Sequence, residues 1–173
     1  AILGVEATDA LVKSGKLAGS TRIDMARSGM GVAIRQGAPK PDISTPKAFT
    51  QTLLDAKSIA YSEGGLTGDY LKGVLQLMGI ADALKAKTKH GRGAEMVAKG
   101  EAEIGVTQIS EILPVPGAEL AGPLPPGVQQ YTVFPAAAAT GAKEPEAAKA
   151  LLKFLGSPDA AKVMRAKGLE PAG

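Results

Sequence analysis

The sequence predicts an α/β fold in which helices cover a parallel or mixed sheet, and three observations carry that expectation. Segments with helical spacing alternate with short apolar runs along the chain. Two longer extended segments, 24–35 and 128–139, bracket a self-contained strand–helix–strand middle, the pattern of a lobe inserted between two crossings. Hydrophobic residues make up 45% of the 173 residues and aromatic residues only 3%, so the core is small-residue packing around Leu, Ile and Val.

Taken in order, "GVEATDALVKSGKL" has helical spacing through Val5, Leu11 and Val12, with Gly15 as a stop. "DMARSGMGVAIR" is extended, with small and branched residues and no helix signal. "DISTPKAFTQTLLDA" is a helix start: Ser44 or Thr45 can accept from the free amides of a first turn, and Pro46 suits that turn. "KSIAYS" (57–62) is a short strand. After the glycine turn, "TGDYLKGVLQLMGI" is a helix with Tyr70, Val74, Leu75 and Met78 on one face. "GRGAEMVAKG" gives a helix through Met96 and Val97 that stops at Gly100, and "EIGVT" a strand. "LPVPGAELAGPLPPGV" is Pro/Gly-rich and irregular, and "QQYTVFPAAAA" is extended. The end is two helices, one with Pro145 in its first turn and one capped by Ser157 with Pro158 after it.

Composition removes several functions. The net charge is +3, with lysines and acids interspersed. Three Tyr, three Phe and no Trp leave few rings for bases to stack on, which argues against nucleic acid. The chain has no cysteine, which excludes thiolate catalysis, disulfides and thiolate-bound metals and suits an exported bacterial protein. A single histidine, His90, excludes sites that need two. No apolar run approaches the roughly 20 residues of a membrane helix. The chain begins "AILGVEATDAL", without methionine and inside an apolar run, and reads as a chain already cut.

The chemistry concentrates in three stretches. "SEGGLTGDYL" is not a phosphate loop, because no Gly-Lys-Ser/Thr follows its glycines, and it is not G-x-G-x-x-G. What remains is a strand leading through Gly64 and Gly65 into a helix starting near Thr67 and Gly68. Free N–H groups and the helix dipole there suit an anion, and the Thr67 hydroxyl adds a donor. The plain alternative is a strand-to-helix turn. "TKHGRGAEM" is a second helix start, where Lys89, His90 and Arg92 are either ligand-facing or a solvated rim. An arginine offers a permanently charged fork suited to a carboxylate. "GVTQISE" puts Gln108 just past a strand end, where open α/β sheets bind ligands, with Ser110 as a second donor. Glu111 reads as a helix-capping or surface charge. Glu63 stands alone and serves as a general base only if a second group stands opposite. Glu101, Glu103 and Asp159 read as solvated faces.

In their order and spacing, "ARSGMGVAIRQGAPKPDIST", "KSIAYSEGGLTGDYL", "LMGIADAL", "VAKGEAEIGVTQISEILPVPG" and "AAKALLKFLGSPDAAKVMRAKGLEP" resemble the molybdate-binding-protein-like branch of the type II periplasmic solute-binding proteins. The resemblance covers essentially the whole chain. It implies a two-lobed type II periplasmic-binding-protein-like fold with mixed sheets that traps a small anion and presents it to an ABC transporter permease. It also implies that the first lobe is incomplete: 1–35 and 132–173 supply part of it with the hinge strands, and 36–131 is the second, inserted lobe. Ala1, Ile2 and Leu3 are then an edge that expects a partner chain or a missing N-terminal segment.

The same resemblance implies that the glycine turn supplies Leu66, Thr67 and Gly68 to the oxyanion, and that His90 and Arg92 lie on another ligand-facing loop. Members that bind molybdate work with neutral donors, so Arg92 points towards an organic acid. An aromatic donor often stands where this chain has Gln108, which weakens the case for molybdate itself.

The leading expectation is therefore a periplasmic receptor for a small anion, a molybdate- or tungstate-like oxyanion or an organic carboxylate, with no cofactor, no metal and no catalytic step. The alternatives are an isomerase or lyase of a small carboxylic acid using Glu63 or His90 as proton carrier, and an effector-binding domain of a regulator. A fold does not choose among them; the site does.

Overall fold

A computed structural model describes residues 1–172. Helix α1 (Val5–Lys13) buries Thr8, while Val5, expected on the apolar face, is 37% exposed. Strand β1 (Ile23–Arg35) is unbroken over 13 residues. Helix α2 (Pro46–Asp55) starts where its capping chemistry puts it, with the Thr45 hydroxyl accepting from the Ala48 N–H at 3.1 Å and Pro46 in the first turn. Strand β2 (Ile59–Tyr61) leads into α3 (Gly65–Leu77), which begins two residues before Thr67. There follow α4 (Ala81–Lys85), β3 (Thr88–His90), α5 (Gly93–Ala98), β4 (Ile104–Gln108) and α6 (Ile109–Ile112). Strands β5 (Ala118–Pro123) and β6 (Tyr131–Ala136) precede α7 (Pro145–Leu155), α8 (Pro158–Ala166) and the two-residue β7 (Glu170–Pro171). Ser157 caps α8, its hydroxyl accepting from the Ala160 N–H.

Two of these strands correct the sequence reading. Strand β5 lies inside the stretch read as irregular, and β3 lies where only a helix start was expected. They are the two ends of the strand order β3-β2-β4-β1-β5. An edge strand needs little apolar cover, so hydrophobic patterning is silent there, and Pro123 is tolerated at the end of such a strand.

The chain divides into two compact units, Gly29–Gln130 and a second made of Ala1–Ser28 with Tyr131–Gly173, of which Gly173 lies outside the described residues. In the first, β2 runs parallel to β3 and β4, while β4 and β5 run antiparallel to β1, so the sheet is mixed. Its two faces differ in size. Val32, Ile34, Ile59, Tyr61, Ile104 and Val106 point to one side and meet Phe49 and Leu53 of α2, Leu71 and Leu75 of α3 and Leu84 of α4. Ala33 and Ala60 alternate with them and point to the other side, against Ala94 and Val97 of α5 and Ile112 of α6. Small residues on that face let α5 approach closely. Lys87 joins the scaffold by donating its ammonium to the Leu54 and Ala56 carbonyls at the end of α2.

In the second unit the opening half of β1 pairs with β6 and, antiparallel, with β7. Met25, Ala26, Ala136, Ala160 and Met164 form its core. The cover is thin: α7 has no buried residue, and Leu151 and Phe154 are 55% and 56% exposed. Residues 1–3 lie along 135–137, with Ile2 bridging Ala136 and the Ala1 ammonium donating to the Ala137 carbonyl at 2.7 Å. Arg27 pairs with Glu170 at 2.7 Å and stacks 4.4 Å from the Tyr131 ring. No described helix is long and apolar enough to cross a membrane.

Candidate functional site

Strands β3, β2 and β4 are neighbours and run in parallel, with Tyr61 opposite His90 and Ala60 opposite Gly105, so their carboxyl ends open on the same side of the unit. Each end turns into a helix: Ser62–Gly64 into α3, Gly91–Arg92 into α5, Gln108 into α6. A cleft of about 630 Å³ lies among these three turns, lined by Ser62, Leu66, Thr67, Arg92, Glu95, Thr107, Gln108, Ser110 and Glu111 among others. This is where an open α/β sheet places its ligand.

The turn into α3 is built by glycine. Gly65 has φ 78°, a left-handed conformation that side chains disfavour. Gly64 precedes the helix with no side-chain cap, so the first-turn amides of this 13-residue helix are not taken up by a capping side chain. Leu66 and Thr67 line the cleft. Gly68 does not. It is buried in α3 against the strand end, and a Cβ added there would stand 2.2 Å from the Ser62 carbonyl oxygen. Its contribution is to let the helix begin this close to β2.

Arg92 precedes α5 and its guanidinium pairs with Glu95 at 2.6 Å, with the arginine side chain 84% exposed. So exposed a pair contributes little to stability and leaves the guanidinium free to change partner. His90 goes elsewhere. Its ring meets Tyr61 edge-on, centroids 5.3 Å apart, in a separate shallow depression lined by Lys72, Lys85 and Thr88. Burial pushes the Tyr61 hydroxyl above its ordinary pKa, partly offset by Thr88. Lys89 also turns away, donating its ammonium to the Glu101 carbonyl.

Gln108 is a buried polar group of the cleft, 8% exposed, as is its neighbour Thr107. Its Nε2 donates to the Thr67 hydroxyl over a long 3.4 Å, and its Oε1 is buried with no partner. Beside it, the Thr107 hydroxyl donates to the Glu111 carboxylate. Glu111, read from sequence as a capping or surface charge, thus lines the cleft, and so does Glu95. Their signal was positional: Glu95 stands one helical turn after Arg92, and Glu111 lies four residues after Thr107, across the junction of β4 and α6. Glu63 is exposed and is not among the lining residues, so neither proton carrier named from sequence, Glu63 nor His90, faces this cleft.

A second cleft of about 680 Å³ lies at the amino ends of β2 and β4, beside Arg35, Asp42, Lys57 and Glu103. Its carboxylates are already engaged, Asp42 by Ser44 and Glu103 by the Lys57 N–H, and the Ser44 bonds hold the Asp42 carboxyl below its ordinary range. Among the described residues no buried unpartnered polar atom faces it. The carboxyl-end cleft is the stronger candidate. No group of three or more acidic or histidine residues among the described residues is placed to hold a metal.

The family described as bacterial extracellular solute-binding protein matches residues 2–170. An aconitate isomerase from Pseudomonas sp is 43% identical over 170 residues, which are 95% of this chain and 64% of that protein's length. Among solved structures, the substrate-binding domain of a putative molybdenum ABC transporter from Clostridium difficile superposes with a TM-score of 0.78 at 19% identity, covering 99% of this chain and 76% of that one. The Azotobacter vinelandii periplasmic molybdate-binding protein superposes with a TM-score of 0.74, again at 19% identity, over 97% of this chain and 76% of that one. These structural likenesses establish a shared fold.

Proposed function

The chain belongs to the bacterial extracellular solute-binding proteins, and we propose that its unit Gly29–Gln130 binds a small organic polycarboxylate at the carboxyl ends of β2, β3 and β4. The observation that carries this reading is Arg92 at the rim of the cleft, beside the uncapped start of α3. The helix amides suit any anion, but a guanidinium fork is matched to the planar, two-oxygen geometry of a carboxylate. The curated relative supports the same chemistry, since its name gives a tricarboxylic acid as substrate. As a receptor the protein would work outside the cytoplasm and deliver its ligand to an ABC importer.

Isothermal titration calorimetry of the full protein against aconitate, citrate, sulfate and molybdate tests this. The expected result is binding of a carboxylate in preference to both oxyanions, and a loss of about 2 kcal/mol, roughly 30-fold, in Arg92→Ala. Molybdate binding that Arg92→Ala leaves intact would remove the reading.

The 43% identity to an aconitate isomerase favours a second reading, in which the bound acid is isomerised. Of the two carboxylates that line the cleft, Glu95 is paired with Arg92, which leaves Glu111, held by the Thr107 hydroxyl, for moving a proton. Following cis- and trans-aconitate by NMR in the presence of the protein decides between the two: interconversion identifies an isomerase, and its absence with tight binding a receptor.

A further inference from the structure

We infer that the ligand of this cleft carries a hydrogen-bond donor of its own, a hydroxyl or a protonated carboxyl, and that Gln108 is the residue that selects for it. The inference rests on the reading of the cleft as an organic-acid site and sharpens its ligand class.

Gln108 Oε1 is an acceptor, buried and unpartnered, on a side chain that is 8% exposed and lines the cleft. Buried acceptors are rarely left unmet, because the lost hydration is not recovered until a donor arrives. The formal charges point the same way. One guanidinium, Arg92, stands among two carboxylates, Glu95 and Glu111, and Arg92 is already paired with Glu95. Glu111 accepts from Thr107 and as a carboxylate has further acceptor capacity. The cleft therefore combines donors at the start of α3 and at Arg92 with acceptors at Gln108 and Glu111. A fully ionised tetrahedral oxyanion offers only acceptors, matches the donors and meets the acceptors unfavourably. A hydroxy acid, or a polycarboxylate that keeps one proton, matches both.

The Gln108 amide has a second orientation of the same shape, in which the two ends exchange places and Oε1 accepts from the Thr67 hydroxyl. That orientation makes Gln108 a donor and favours acceptor-only ligands. The two orientations predict opposite ligand preferences, which makes the inference testable without knowing the natural ligand.

Calorimetry of the full protein with two matched pairs, citrate against tricarballylate and malate against succinate, separates them. Each pair differs by one hydroxyl. Titrations in two buffers of different ionisation enthalpy report proton uptake. The expected result is that the hydroxy acid of a pair binds about tenfold or more tightly than its deoxy partner with no proton taken up, which identifies a hydroxyl as the donor. Deoxy acids that bind equally well but take up a proton identify a protonated carboxyl and also sustain the inference. Equal binding within each pair without proton uptake overturns it, as does tighter binding of sulfate or molybdate. In Gln108→Leu the preference within a pair, or the proton uptake, is expected to collapse. The comparisons on the unsubstituted protein stand whether or not that variant folds. Failure of every acid to bind would refute the organic-acid reading itself, an outcome distinct from equal binding of both members of a pair.

Discussion

Phe49→Ala is expected to destabilise the protein by about 4 kcal/mol, seen as a lower urea midpoint with little change in slope. Phe49 is fully buried on α2, where it belongs to the cluster formed with Leu53, the large-residue face of the sheet, and Leu71 and Leu75. Truncation removes the apolar transfer term and leaves a cavity that rigid neighbours on three elements fill only in part. A loss of that size is a large share of the 5–15 kcal/mol typical of a whole domain. Phe49→Leu, which keeps most of the volume, is expected to lose well under half as much. Equal losses for the two would show that the site collapses freely and that the packing is looser than the full burial of Phe49 implies.

Gly68→Ala and Gly73→Ala, on the same helix, are expected to have opposite signs. At Gly68 the new Cβ would lie 2.2 Å from the Ser62 carbonyl oxygen and 3.0 Å from the Ser62 carbonyl carbon, and backbone cannot rotate aside as a side chain can. Overpacking of about 3 kcal/mol, offset by about 1 kcal/mol from the better helix propensity of alanine, leaves a net loss of about 2 kcal/mol. At Gly73 a Cβ meets nothing within 4 Å, so the propensity gain stands alone, up to about 1 kcal/mol. Relief of the Gly68 clash requires the start of α3 to move off β2, so Gly68→Ala is also expected to weaken ligand binding, whereas Gly73→Ala leaves it unchanged. Thermal unfolding of the two variants beside calorimetry checks both halves, and a stable, fully binding Gly68→Ala protein would refute the close packing of α3 on the strand end.

The fold was legible where burial writes a period into the sequence. Val32, Ile34, Ile59 and Tyr61 alternate with Ala33 and Ala60, and Thr45, Pro46, Ser157 and Pro158 mark helix starts by chemistry that acts within a turn. Strands β3 and β5 were not legible, because edge strands with little buried surface leave no such period. The site divides in the same way. The glycine turn and the end of β4 were visible as places, since a strand-to-helix junction needs residues of particular conformation. Which side chains face the cleft depends on rotation about strands and helices too short to show a repeat. Thus Glu111 passed for a capping or surface charge, Glu95 drew no notice, and His90, two residues before Arg92, turned out to serve a different face.

The arrangement of strand ends has an evolutionary consequence. The groups that line the cleft sit on three short junctions, while the large residues of the core, Phe49, Leu53, Leu75 and Leu84, take no part in lining it. Under the proposed function, exchange at Leu66, Thr67, Arg92, Ser110 or Glu111 is expected to alter what the cleft accepts with little effect on whether the chain folds, because none of these residues is buried. Thr107, Gln108 and Gly68 are exceptions, buried residues at or beside the cleft. A lineage built on this scaffold can therefore drift from one ligand to another through many small, separately tolerated steps, provided those buried positions change last or change together with their neighbours.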